Sequence, residues 1–301
     1  MRTRFVLDHT QIPAMENILY NLDWVLPLRN ESLTPVMKAI TALGYTWFFF
    51  LILPLLYWIG EKNAATRIMA SVVFSGLITF FLKDLFEDPR PPSHLWLAGE
   101  SPTSFGLPSG HTLMAIVFWF SVSLELKHKW FTRLAFLLVL LIPFSRLYLG
   151  VHDLEDIIGG AIAGIITLFI FRFALRAESL RGRVKTAIIL TVIAATVLAL
   201  WPAESPPGKS IIMLGLFVGW MAGYLLNFSS PFFPHPKRWM KLPVAIAGLF
   251  VLGLVIWVLR TYLPEIDLAP LLAEIIAGLV IGFVITALFP FLCGCLRSMR
   301  P

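Results

Sequence analysis

Residues 130–173 read WFTRLAFLLVLLIPFSRLYLGVHDLEDIIGGAIAGIITLFIFRF. Two apolar runs, 130–146 and 156–173, flank a short polar break that carries Ser145, Arg146, His152 and Asp156. Each run falls in the range of about 17–25 residues that lets a helix cross a bilayer. Hydrocarbon offers the backbone no hydrogen-bond partner, so a spanning segment has to be helical or part of a closed barrel. Ionisable residues at the ends of such runs are expensive to keep there and mark function.

The same pattern continues in both directions. Of 301 residues, 58% are hydrophobic and 14% are charged, against about 25% charged in a soluble domain. Nine apolar runs are expected to span, at about 44–59, 66–84, 110–126, 130–146, 156–173, 186–201, 210–227, 243–260 and 268–293. The fold class is therefore all-α, a polytopic membrane bundle of about nine helices. The stretch 14–40 is broken by Pro27 and Pro35 and carries Asp23, Arg29 and Glu31, which suits an interfacial segment better than a span. Three parts are expected: an N-terminal interfacial segment at 1–43, a chemically active core at 44–175, and additional C-terminal helices at 176–301. Gly160 with Gly164, Gly215 with Gly219 and Gly223, and Gly278 with Gly282 have the small-xxx-small spacing of closely packed membrane helices.

The net charge of +6 lacks the clustered basic face of a nucleic-acid binder; it belongs to loops, and no nucleic-acid partner is expected. One set of loops, from Lys62 to Arg300 and including Arg176, holds 15 of the 24 Lys and Arg residues. The positive-inside rule puts that set in the cytoplasm. The N-terminus and the polar breaks then face outward: the periplasm for a bacterial inner-membrane protein, the lumen for a eukaryotic one. Met1 to Gln11 are polar and lack the apolar core of a cleaved signal peptide. Cys293 and Cys295, one glycine apart and on the cytoplasmic side, are read as free thiols.

Three polar islands carry the chemistry. The first is Lys83 with Arg90-Pro91; taken alone, it also fits a snorkelling lysine and an interfacial arginine. The second, Pro108-Ser109-Gly110-His111, opens a span. Ser109 is a candidate N-cap, the free N–H groups of a helix start attract anions, and Gly110 lets backbone approach a phosphate. The third is Ser145-Arg146, His152 and Asp156. If 152–156 is helical, His152 and Asp156 share a face, and the carboxylate orients the imidazole as a nucleophile. Asp153 and Glu155 read as surface acids of an interface. Together, Lys83, Arg90 and Arg146 can neutralise a phosphoryl group in transfer, where placement and charge dominate. His152 would attack phosphorus, and His111 would serve as acid, then base. No metal-ligand spacing occurs, so no metal or other cofactor is expected.

The pattern Lys83–x6–Arg90-Pro91, Pro108-Ser109-Gly110-His111, Ser145-Arg146–x5–His152–x3–Asp156 resembles the signature of the type 2 phosphatidic acid phosphatase superfamily at every position. The resemblance covers somewhat under half of the chain. It implies a metal-independent, membrane-embedded phosphatase. His152 would be the nucleophile, Asp156 its partner and His111 the acid/base, with Lys83, Arg90, Ser109, Gly110 and Arg146 binding phosphate. The soluble vanadate-binding haloperoxidases share that pattern, but nine spans do not fit them.

The leading expectation is hydrolysis of a lipid phosphate or pyrophosphate, with membrane lipids as the surroundings and no protein partner named. Nine spans and an outward N-terminus are also similar to the glucose-6-phosphatase branch, whose substrate is a soluble sugar phosphate. A phosphotransferase using the same histidine, or a transporter, are further readings. Residues 92–107, with His94, Trp96, Glu100 and Phe105, are expected to roof the pocket.

Overall fold

The computed structural model describes residues 19–97, 100, 102–175, 179–202, 208–229, 237–266 and 268–298. Met1 to Gln11, Arg176 and Arg300, which entered the reading above, lie outside the described residues. Every regular element among the described residues is helical. The α-helices are α1 (Leu33–Ala42), α2 (Thr46–Ile59), α3 (Lys62–Phe86), α4 (Gly110–Leu126), α5 (Lys129–Tyr148) and α6 (Leu154–Ala174). They continue as α7 (Leu180–Ala199), α8 (Gly208–Ser229), α9 (Lys241–Tyr262), α10 (Pro270–Phe283) and α11 (Phe289–Ser298).

Seven helical stretches are long and apolar enough to cross a membrane. The pair α1 and α2, bent by 52°, would make an eighth. α4, at 17 residues, is shorter and rises about 26 Å at 1.5 Å per residue. Each of the nine expected runs is thus helical, and the chain is a multi-pass membrane protein. α3 and α8 are the most enclosed of the long helices; α6, α7 and α9 leave most of their surface for lipid.

Small residues set the closest approaches. A Cβ on Gly160 would lie 2.6 Å from the Ser109 carbonyl oxygen, so α4 and α6 meet backbone to backbone. The Ser109 N–H donates to the Asp156 carbonyl at 2.9 Å across that contact. α8 and α10 pack in the same way: a Cβ on Gly219 would sit 2.0 Å from the Leu279 oxygen, and one on Gly278 2.2 Å from the Ile212 oxygen. Between α10 and α11 the helix widens to a π-turn over Val284–Leu288. There the Thr286 hydroxyl donates to the Trp220 carbonyl at 3.1 Å and the Gly282 carbonyl at 2.9 Å. The Tyr57 and Trp220 rings, 5.3 Å apart, join α2 to α8 at the centre of the core.

Candidate active site

The loop between α5 and α6 ends at Asp153, which caps α6. Its side chain accepts the Asp156 N–H at 3.0 Å. α6 begins at Leu154, so His152 precedes the helix rather than lying in its first turn. The capping turn brings the two side chains together all the same, with His152 Nδ1 2.6 Å from Asp156 Oδ2. Arg90 Nη1 lies 3.0 Å from the other ring nitrogen, Nε2. A guanidinium can only donate, so Nε2 accepts there and Nδ1 carries the proton given to Asp156. The imidazole is thereby fixed in the tautomer whose Nε2 lone pair faces the cations.

Burial first, then the positive charges of Arg90, Lys83 and Arg146 and the neighbouring His111, holds the His152 pKa well below the usual imidazole range. His152 is 1% exposed and neutral at physiological pH. Burial also pulls Arg90 down to about 10, which leaves it charged. Arg90 is tied to the Ser104 carbonyl and the Val151 carbonyl, each at 2.6 Å, and to the Ser104 hydroxyl at 3.2 Å.

Lys83 reaches the site from the last turn of α3. Only 3% exposed, it does not snorkel to an interface. Its ammonium donates to the Phe105 carbonyl and, at 2.7 Å, to the Gly106 carbonyl. Gly106 lies against the His152–Asp156 pair: a Cβ there would come within 2.8 Å of Asp156 Oδ1. Arg146 closes the far side from the last turn of α5. It donates to the Thr41 hydroxyl at 2.9 Å, pairs with Glu100 at 3.2 Å, and lies over the Tyr45 ring at 5.8 Å.

Ser109 occupies the N-cap position of α4, but its hydroxyl makes no capping bond. His111 sits in the first turn with its ring edge-on to Tyr45, centroids 4.7 Å apart. Eight buried side-chain polar atoms have no hydrogen-bond partner among the described residues. Four belong here: Ser109 Oγ, His111 Nε2, Arg146 Nε and Asp156 Oδ1. A buried polar atom left without a partner is costly, and three of these four can donate to an anion. Lys83, Arg90, Gly110, His111, Arg146 and His152 all border one chamber of about 1110 Å³. Among the described residues no group of three His, Cys, Asp or Glu side chains is gathered as for a metal ion.

The structure thus brings together all three islands of the sequence. It corrects the reading of Asp153 as a surface acid: the residue is 4% exposed and caps α6, and burial raises its pKa to about 6. Trp96 borders the chamber and donates to the Pro91 carbonyl at 2.9 Å. Glu100 and Phe105, expected over the pocket, line the chamber as well. Thr41 and Tyr45 carry no signal in the sequence. They lie in or beside the segment read as interfacial and meet Arg146 and Glu100 only through the fold; Tyr45 donates to Glu100 at 2.8 Å.

The chain is similar to known proteins over part of its length. The PAP2 superfamily profile matches residues 64–179. Phosphatidylglycerophosphatase B of Bacillus subtilis is 31% identical over 161 residues, covering 48% of this chain and 76% of that protein. The dihydrosphingosine 1-phosphate phosphatase YSR3 of Saccharomyces cerevisiae is 27% identical over 165 residues, covering 49% of this chain and 41% of that protein. A crystal structure described as a transmembrane PAP2 type phosphatidylglycerolphosphate phosphatase from Bacillus subtilis has a TM-score of 0.45 at 25% identity, covering 50% of this chain and 81% of that one. The matches to the first three curated relatives span 38% to 55% of those proteins' lengths. The chain belongs to the PAP2 superfamily.

Proposed function

We propose that this protein is an integral-membrane, metal-independent phosphatase that hydrolyses a lipid phosphate or pyrophosphate through a phosphohistidine. The observation that carries the reading is His152, held between a carboxylate on Nδ1 and a guanidinium on Nε2, inside a chamber bordered by three cations. The substrate's phosphate would enter between Nε2 and Arg90, with Lys83, Arg90, Arg146, Ser109 and the Gly110 backbone binding its oxygens.

In the first step His152 Nε2 attacks phosphorus, a P–N bond forms, and the P–O bond to the lipid alcohol breaks. His111, protonated, supplies the proton that the leaving oxygen needs. In the second step water attacks the phosphohistidine and gives a proton to His111, and the P–N bond breaks to release phosphate. Asp156 keeps the proton on Nδ1 and stabilises the charge that develops on the ring. Preorganised cations carry most of the rate, as phosphoryl transfer requires. The relatives named as a dihydrosphingosine 1-phosphate phosphatase and a phosphatidylglycerophosphatase favour a lipid substrate. The bias of Lys and Arg toward one set of loops favours an outward-facing chamber.

The test is phosphate release by the purified full-length protein from micellar lipid phosphates, with a chelator present. His152→Ala is expected to abolish release, and His111→Ala to lower it sharply by slowing both formation and hydrolysis of the phosphohistidine. Full activity in His152→Ala would overturn the mechanism.

A further inference from the structure

The superfamily match ends at residue 179, yet the chamber draws part of its wall from beyond it. Gly208, Lys209 and Met213 of α8 border the same space as His152. From Lys209 a single stripe runs along the helix: Lys209, Met213, Leu216 and Trp220 recur at i, i+4, i+7 and i+11, one face of a 3.6-residue period. Lys209 is exposed, whereas Met213, Leu216 and Trp220 are buried.

The three apolar members continue into a narrow crevice with no polar lining surface. This crevice shares Thr46, Met114 and Met213 with the chamber and has Leu216 and Trp220 farther in. The stripe therefore changes from cation to hydrocarbon in the direction leading away from the phosphate-type site. Met213 stands at the junction, in room left by Gly76 of α3: a Cβ on Gly76 would lie 2.6 Å from its sulfur. The crevice holds about 30 Å³ and is walled by buried core side chains, among them Phe49, Met69, Trp220 and Ile285, so a chain can enter only as Met114, Met213 and this packing move apart. Unbranched thioether side chains adapt in this way better than branched ones. The chamber, at about 1110 Å³, exceeds even the usual range of about 300–1,000 Å³ for drug-sized ligands. It is far larger than one phosphate needs.

We infer that the α8 stripe is the subsite for the substrate's hydrocarbon chain, with Lys209 at the head-group end and Met213 controlling passage into the crevice. This rests on the phosphatase reading above and extends it. The substrate class is an amphiphile with its phosphate at one end and at least one flexible chain at the other. The C-terminal helices thereby gain a part in substrate binding, because α10 holds α8 against the core through their glycine contacts.

The experiment has two arms, both on the full-length protein. The first measures kcat/KM for a long-chain and a short-chain phosphate sharing one head group. Met213→Trp is expected to lower the long-chain value by about tenfold or more while changing the short-chain value little, since one methylene in an apolar pocket is worth about tenfold or more. Met213→Ala, which widens the junction, is expected to raise relative activity on a branched chain. Unchanged chain preference in both variants overturns the inference and leaves the phosphatase intact. The second arm needs no turnover: an alkyl phosphonate with a photoreactive group at the chain end is cross-linked and mapped. Labels at residues 213–220 support the subsite even if no ester is hydrolysed, in which case the phosphatase reading alone fails. Labels confined elsewhere overturn the subsite.

Discussion

At the scale of the residue, His152 has both ring nitrogens engaged at once. Asp156 at 2.6 Å fixes the tautomer, and Arg90 at 3.0 Å puts a positive charge beside the other ring nitrogen. Asp156→Asn keeps the shape and removes the charge that holds the proton on Nδ1. Its kcat is expected to fall by about 10²- to 10⁴-fold, as read by phosphate release, with thermal stability in detergent used to check folding. The depressed pKa of His152 has a definite sign. The unfolded chain takes up this proton near pH 6.5, the folded chain only at lower pH. The unfolded state therefore binds more protons in that window, and stability falls as pH drops below about 6.5. NMR titration of ring-labelled protein is expected to find His152 still neutral when exposed histidines have protonated. In Arg90→Gln its midpoint should move up, because the leading cation has gone. A midpoint at or above 6.5 in the parent protein would contradict the buried, cation-flanked geometry.

At the scale of the element, the site depends on how close α4 and α6 come. Gly160 against the Ser109 carbonyl is that contact, and Ser109 and His111 ride on α4 while Asp156 rides on α6. Gly160→Val has to part the helices. A cost of about 1–3 kcal/mol is expected from overpacking, together with loss of phosphate release, in thermal unfolding and turnover assays. The helices themselves are readable from apolar runs, because a bilayer demands length and hydrophobicity that any composition scan detects. Their ends are less so. α2 is only 14 residues and is bent 52° from α1, and Tyr45 lies at the break, where it meets His111. No periodicity announces that meeting, since Tyr45 and His111 are 66 positions apart. Asp153 escapes a sequence reading for a similar reason: a carboxylate near an interface looks like any surface acid until the capping turn that buries it is seen.

At the scale of the whole molecule, Lys83, Arg90 and Arg146 arrive from α3, the following loop and α5. Three cations within one chamber repel one another without an anion, apart from the relief given by Glu100 and Asp156. Vanadate, which adopts the pentacoordinate geometry of phosphorus in transfer, is expected to inhibit and to raise the melting temperature. At 100 times its Kd the gain from mass action is about 2.7 kcal/mol. Thermal shift in detergent with and without vanadate measures this. An unchanged melting temperature together with unchanged turnover would count against the chamber as an anion site.

The sequence alone determined the helical membrane class, the superfamily resemblance, and the candidate residues that the fold then brings together. Each of these is written locally, in runs of fixed length and in short motifs with fixed intervals. Only the tertiary structure decided the tautomer of His152, the parts played by Tyr45, Thr41 and Glu100 around Arg146, the burial of Asp153, and the stripe of α8 beside the chamber. Those depend on distances between segments far apart in the chain. Such distances follow from backbone approach at glycines and from side-chain packing, which no single stretch of sequence encodes.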